Sequence, residues 1–157
     1  MSASLMLEGI HVVPGIDAVA DAFASTVSSD VVNASHYESV CFLIHNGVGA
    51  TGVSTITIES CDDVSPTTST AVAFTSRSIT TNDAEGAITA RAAAGFLTTA
   101  GSSDIYLCEV KSSELSGTDK YVRATMVESV DSPVLGGIII LMGNPRYNQD
   151  TKIAAIT

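Results

Sequence analysis

Apolar and polar residues alternate along most of the chain from residue 37 onward. In residues 52–60, Ile56 and Ile58 fall on one face, and Val53, Thr55 and Thr57 on the other. A period of two residues is typical of a strand with one buried face, and the isoleucine pair marks that face. Similar patterns predict strands over residues 37–45, 70–80, 104–112, 121–129 and 133–143, with one or two more within residues 9–15 and 28–32.

Turn-forming residues such as Asn46-Gly47 and Ser65-Pro66 separate these segments. Short strands at this spacing predict an all-β fold, an antiparallel β-sandwich or jelly roll of about seven to eight strands. Residues 16–25 and 82–96 are predicted to be loop or short helix, because they are rich in alanine. The length of 157 residues fits a single domain over residues 1–157.

The predicted strand over residues 133–143 is apolar on both faces, because residues 138–141 are all aliphatic. One sandwich core hides one face of such a strand, so the other face needs a second sheet layer, a loop or another subunit. We therefore expect a homo-oligomer with this strand near the contact between subunits. The residues that we assign to this interface are Pro145, Arg146, Tyr147, Ile139 and Leu141.

Arg146 and Tyr147 allow two interpretations. In the first they contact a partner subunit. In the second they anchor the end of the chain within one subunit, with the tyrosine packed and the arginine paired to an acidic neighbour. The chain is also apolar near both ends, in residues 6–13 and 153–157. Free termini are normally polar, so we expect these two apolar segments to dock onto neighbouring subunits.

Seventeen acidic residues against seven basic ones give the chain a net charge of −10. Duplex nucleic acid is bound mainly by lysine and arginine contacts to phosphates, so we expect no nucleic-acid partner. The longest apolar run, residues 138–142, is far shorter than the ~20 residues that span a bilayer, so we expect no membrane partner.

No motif in the sequence indicates catalysis, a cofactor or a metal site. Residues 47–52 match GxGxxG, but a strand rather than a helix is predicted to follow, so we interpret them as a hairpin loop. Cys41, Cys61 and Cys108 form no CxxC pair and are expected to be reduced and mostly buried, in a chain made in the cytoplasm. We expect no enzyme activity, no cofactor and no metal.

The carboxyl-terminal part of the chain has a distinctive order of short motifs. Residues 121–150, YVRATMVESVDSPVLGGIIILMGNPRYNQD, contain a strand with Tyr-Val-Arg, a Ser-Pro, a glycine-containing apolar strand and Pro-Arg-Tyr. This order resembles the ending of a family of small structural proteins of tailed-bacteriophage heads. Residues 29–49 and 56–74 extend the resemblance, with a strand, a glycine loop and a Glu-Ser-x-Asp-Asp turn in the family's order.

The resemblance implies a capsid cement, or decoration, protein. Such proteins are β-sandwich modules that bind the outside of an icosahedral shell, often as trimers, and stabilise it after expansion. The implied partner is the phage major capsid protein, the implied oligomer is a homotrimer, and the implied location is the capsid exterior of the virion. The resemblance supplies no catalytic residues. Two alternatives stay open: a head-completion or tail protein of the same particle, and a β-sandwich carbohydrate-binding module, which the absence of tryptophan disfavours.

Overall fold

Two antiparallel sheets share one hydrophobic core in the computed structural model, which describes residues 9–49, 51–80, 82–101 and 103–146. The prediction of an antiparallel β-sandwich is confirmed. The strands outnumber the seven or eight predicted, because several are only two to four residues long. In chain order they are β1 (Ile10–Val19), β2 (Thr26–Ser28), β3 (Val32–Asn33), β4 (Tyr37–Gly49), β5 (Val53–Cys61), β6 (Ser69–Val72), β7 (Phe74–Ile79), β8 (Thr89–Arg91), β9 (Phe96–Leu97), β10 (Asp104–Lys111), β11 (Tyr121–Val130) and β12 (Val134–Pro145).

The front sheet, as we name it, has the strand order β1-β12-β4-β10-β7-β8. The back sheet has the order β2-β11-β5-β6, with β3 beside β11 and β9 beside β5. Ile56 and Ile58 of β5 are fully buried, as their alternation predicts, and they share one core with Phe42 and Ile44 of β4. Each fully buried aliphatic side chain contributes roughly 1.5–3 kcal/mol to the stability of the fold. Both sheets supply such side chains, so the core depends on both.

The single strand predicted over residues 70–80 is wrong, because the chain changes sheets in its middle. β6 pairs with β5 of the back sheet, whereas β7 pairs with β10 of the front sheet. Val72 and Phe74 are both buried on either side of the exposed Ala73. Both sheets face the same core, so alternation continues unbroken through the corner and resembles that of one strand.

The hairpin predicted at residues 47–52 is also wrong. β4 continues to Gly49, and the short connection to β5 passes from the front sheet to the back sheet. A side chain on Gly47 would lie 2.6 Å from the Leu135 carbonyl oxygen, so glycine here permits close approach of β12. A strand follows the last glycine of the motif, as predicted, and this leaves no helix amino terminus to receive a pyrophosphate.

Neither alanine-rich segment contains a helix. β1 runs through residues 16–19 because Ile16 and Val19 pair with β12, and this tertiary pairing overrides the helix preference of alanine. Residues 82–96 hold β8 and the start of β9 between loops. Elsewhere, the described residues include two short 3-10 helices, at Ala34–His36 and Ser112–Glu114. The helices among the described residues fall short of the length and hydrophobicity of a membrane-spanning helix.

Candidate docking face

β12 is an inner strand of the front sheet, paired with β1 on one side and with β4 on the other. Its side chains alternate between the two faces of the sheet. Ile138 and Ile140 point into the core and are almost fully buried, whereas Ile139 points outward and is 44% exposed. The described residues therefore hide one face of β12 and leave the other face open to solvent.

Side chains of neighbouring strands form two rows across the outer side of the front sheet. Cross-strand pairing aligns a first row of Val12, Leu141, Cys41, Glu109 and Thr75. The second row consists of Pro14, Ile139, Leu43, Leu107 and Arg77. All of these side chains are half-buried or exposed. We name the apolar part of both rows the outer apolar face: Val12, Pro14, Cys41, Leu43, Leu107, Ile139 and Leu141.

The outer side of the back sheet has a different chemistry, because many of its outward side chains bond to one another. The Thr57 hydroxyl donates to the Thr125 carbonyl at 3.3 Å, and the hydroxyl oxygens of Ser28 and Thr125 lie 3.0 Å apart. Arg123 and Glu59 form an ion pair at 2.8 Å across β11 and β5. These polar groups are satisfied within the chain and require no partner.

Large exposed apolar side chains are divided unevenly between the two sheets. Of the nine among the described residues, three belong to the back sheet: Leu97, Val127 and Val130. The other six lie on or directly beside strands of the front sheet: Val12, Val19, Val48, Ile88, Leu135 and Ile139. A contiguous exposed apolar surface marks an interaction site, whereas scattered apolar residues need no explanation.

Two shallow depressions flank the outer apolar face. One, of about 260 Å³, lies beside Ile139, where the pairing of β1 with β12 is irregular between Pro14 and Val19. The other, of about 190 Å³, is lined by Cys41 and Leu107 among others. A surface with depressions of this size accommodates protruding side chains of a protein partner better than a flat sheet does.

Pro145 and Arg146 adjoin the end of the front sheet and do not belong to the outer apolar face. Pro145 ends β12 opposite Tyr37 of β4, and the Arg146 backbone N–H donates to the His36 carbonyl at 2.9 Å. The Arg146 side chain is exposed, and neither of the ion pairs among the described residues includes it. Tyr147 lies outside the described residues. Of the five predicted interface residues, the structure brings together Ile139 and Leu141.

The three thiols differ in their position relative to this face. Cys61 and Cys108 are buried, and Cys41 is half-buried on the outer apolar face. Burial raises the pKa of Cys41 to about 12, with a smaller contribution from the Glu109 carboxylate, and it raises the pKa of Cys61 to about 11. Burial also raises the pKa of Cys108. All three thiols are therefore protonated at neutral pH, which disfavours nucleophilic and metal-binding roles.

Acidic residues after β5 act in a turn. The Asp62 carboxylate accepts hydrogen bonds from the Thr68 backbone N–H and the Thr67 hydroxyl, which hold its pKa below the usual value. Among the residues that the structure describes, no group of three or more His, Cys, Asp or Glu side chains is arranged to hold a metal ion.

The sequence interpretation missed most of the outer apolar face, although a signal was present. In β4, residues 40–44 are five consecutive apolar residues, the same signal that singled out β12. Leu43 and Cys41 face outward beside Ile139 and Leu141 because β4 pairs directly with β12. Val12 and Pro14 carry no comparable signal, because their place depends on which strand β1 joins.

No protein-family model and no curated protein matches the chain. Among solved structures, it is similar to the SPBc2 prophage-derived protein YomS, with 10% identity and a TM-score of 0.47 over 90% of this chain and 98% of that one. It is also similar to parts of two infectious bursal disease virus structures, of the Gt and Gx strains, at 12% identity. Their TM-scores are 0.26 and 0.25, and the matches cover 87% of this chain but only 36% and 42% of the viral chains. At these identities and TM-scores, the likenesses carry no argument about function.

Proposed function

We propose that this chain is a capsid cement protein of a tailed phage, which binds the outside of the icosahedral shell and stabilises the lattice of the major capsid protein. We expect it to act there as a homo-oligomer, most simply a trimer. The observation that carries the proposal is the outer apolar face of the front sheet. The described residues leave this face uncovered, whereas the polar groups on the outer side of the back sheet find their hydrogen-bond and ion-pair partners within the chain. The resemblance of residues 28–150 to phage head proteins supplies the identity of the partner.

The charge of the chain fits the outside of a shell better than the inside. A net charge of −10 opposes contact with packaged DNA and keeps free copies apart at high concentration. The outer apolar face contains no charged side chain, and the charged residues of its two rows, Glu109 and Arg77, lie at one margin. An uncharged apolar surface on an otherwise acidic protein favours association through that surface, while the negative charge elsewhere makes other contacts between copies unfavourable.

A carbohydrate-binding role is disfavoured by the composition of the same face. Sugars are bound on exposed aromatic rings, whereas the outer apolar face contains only aliphatic side chains and one thiol. The closer alternative is a head-completion or tail protein, which uses the same kind of apolar contact but in a single ring per particle.

The number of copies in purified virions tests the proposal, measured by quantitative mass spectrometry against the major capsid protein. Each virion should contain on the order of hundreds of copies of a cement protein, since such a protein follows the symmetry of the whole shell. About a dozen copies or fewer, or absence from the particle, would contradict the cement function. The double variant Arg146→Ala/Tyr147→Ala should remain folded but leave heads more readily on mild heating, because we assign both residues to a contact with the shell or a neighbouring subunit. Retention like that of the unmodified protein would indicate that they only anchor the end of the chain within one subunit.

A further inference from the structure

Two carboxylates border the outer apolar face without an ion-pair partner. Asp17 belongs to β1 and Glu109 to β10, and both residues are exposed. The ion pairs among the described residues include neither of them. Arg77, which lies on the same margin of the face as Glu109, has its own partner, because its guanidinium group binds the Glu85 carboxylate at 2.9 Å. The face is therefore bordered by two negative charges that the described residues leave unpaired.

Each of these carboxylates lines one of the two depressions that flank the face. Asp17 lines the depression of about 260 Å³, together with apolar side chains of β1, β4 and β12 and with His45. Glu109 lines the depression of about 190 Å³, together with apolar side chains of β4 and β10 and with the ion-paired Arg77. Each depression thus combines an apolar wall with one unpaired carboxylate.

A lysine or arginine side chain from a protein partner matches this combination. Its aliphatic stem packs on apolar surface while its charged end stays beside a carboxylate. A wholly aliphatic side chain would leave the carboxylate unpaired, and an acidic side chain would bring two negative charges together. Both depressions are smaller than the roughly 300–1,000 Å³ of typical small-molecule sites, so single side chains of a protein fit them better than a free ligand does.

The two depressions lie on the same side of the front sheet, and β4 lines both of them. Asp17 follows Ile16, which pairs with Ile138 of β12, whereas Glu109 lies in the row of Leu141. Three strand spacings and about three residues along the strands separate the two acidic residues, so their backbone positions lie roughly 18 Å apart. Two adjacent residues of a partner cannot span this distance, whereas one folded protein surface can.

We propose that the surface of the major capsid protein that binds this chain seats two basic side chains, each a lysine or an arginine, in these depressions. One packs its stem on Leu43 and directs its charged end to Asp17. The other packs its stem on Leu107 and directs its charged end to Glu109. The inference rests on the proposed function and adds the chemistry of the partner surface, which is aliphatic between two positive charges.

A second copy of this chain is a poorer occupant of the same depressions. Each copy has a net charge of −10, which opposes the association of two copies in solution. The chain has only seven basic residues, and Arg77 and Arg123 among them form ion pairs within the chain. A partner with basic side chains gains the apolar contact and both charge pairs, so charge complementarity favours it over a second copy.

The variant Asp17→Asn/Glu109→Gln removes both carboxylates with little change in shape. The matched control is Asp21→Asn/Asp131→Asn, which removes two exposed carboxylates from loops outside both depressions. Each variant loses two of the seventeen acidic residues, so the two variants have the same net charge. Purified protein, shown to be folded by circular dichroism, is added to heads that lack it at about pH 8, where an ordinary imidazole is largely neutral. Bound protein is measured by mass spectrometry after the heads are pelleted.

At low salt, the variant without the two carboxylates should bind heads roughly 5- to 30-fold more weakly than the unmodified protein and the control. This difference should shrink at about 1 M salt, where the Debye length is only about 3 Å. Equal affinities of the two variants at low salt would overturn the inference. A smaller oligomer of the free carboxylate variant, measured by light scattering, would also overturn it and would indicate a second copy in the depressions.

The same titration separates the failure of this inference from the failure of the proposed function. If the unmodified protein does not bind heads, the proposed function is wrong and the inference falls with it. If the unmodified protein binds heads and the loss of both carboxylates leaves its affinity unchanged, the inference alone is wrong.

Discussion

Alanine at two adjacent positions of β12 should affect stability very differently, because the two side chains lie on opposite faces of the front sheet. Ile140 is fully buried, opposite Phe42 of β4 and Val13 of β1, which are also core residues. Ile139 has the same chemistry but is 44% exposed. The pair thus compares one substitution in two environments within a single strand.

The free energies follow from burial. Replacing a fully buried isoleucine with alanine costs about 2–5 kcal/mol, because transfer energy is lost and a cavity remains. Ile139 loses only part of its burial and leaves no cavity, so Ile139→Ala should cost about 1 kcal/mol. For a chain of this length, 1 kcal/mol corresponds to roughly 2–4 °C in Tm. Ile140→Ala should therefore lower Tm by about 4–20 °C, and Ile139→Ala by about 2–4 °C, so the first shift is at least about twice the second.

Urea denaturation followed by circular dichroism measures both free energies of unfolding at low protein concentration. Equal slopes of the free energy of unfolding against urea concentration would show that the two variants unfold from similarly compact states. If Ile139→Ala costs as much as Ile140→Ala, the outer side of β12 is packed as tightly as the core. The assignment of an open docking face would then be wrong.

Two further predictions concern the backbone and the thiols. Gly95→Ala should destabilise the protein by more than 2 kcal/mol, because Gly95 has a φ of 74° and its new methyl group would collide with the Ile56 carbonyl oxygen. Gly117→Ala, at a φ of 56° but in open space, should cost only about 1 kcal/mol, as measured by the same denaturation. The free energy of unfolding should fall as pH rises from about 9 to about 11, because the unfolded chain ionises its thiols while the raised pKa values keep Cys61 and Cys108 protonated in the fold. Each thiol contributes up to ~1.4 kcal/mol per pH unit to this decrease. Cys108→Ala should therefore flatten the pH dependence of the free energy of unfolding. An unchanged pH dependence would contradict the raised pKa that we assign to buried Cys108.

The alternation of buried and exposed residues could be predicted from the sequence wherever a strand stays within one sheet and buries one face. The pattern of residues 52–60 predicted that Ile56 and Ile58 face the core, and both are fully buried. The same local rule failed at Ala73, because a corner between two sheets around one core preserves the alternation of a single strand. It failed again after Gly49, since glycine permits a turn or a close approach without indicating which sheet comes next.

The candidate site was predicted only in part for a related reason. Ile139 and Leu141 were identifiable because four aliphatic residues in a row cannot all face one core. Leu43, Leu107 and Val12 join them through the order of strands in the front sheet, which no local pattern determines. Arg146 was grouped with them by proximity in the sequence, yet it lies beyond the end of β12.

Docking through the outer apolar face is tested most directly by retention on purified phage heads after mild heating, with bound protein quantified by mass spectrometry. The test variant is Ile139→Ser/Leu141→Ser on the outer apolar face. The matched control is Leu97→Ser/Val127→Ser, which removes two exposed apolar side chains from the back sheet. With both variants shown to be folded, we expect the front-sheet variant to be lost from heads and the control to be retained like the unmodified protein. Retention of the front-sheet variant, or loss of the back-sheet control alone, would contradict docking through the outer apolar face.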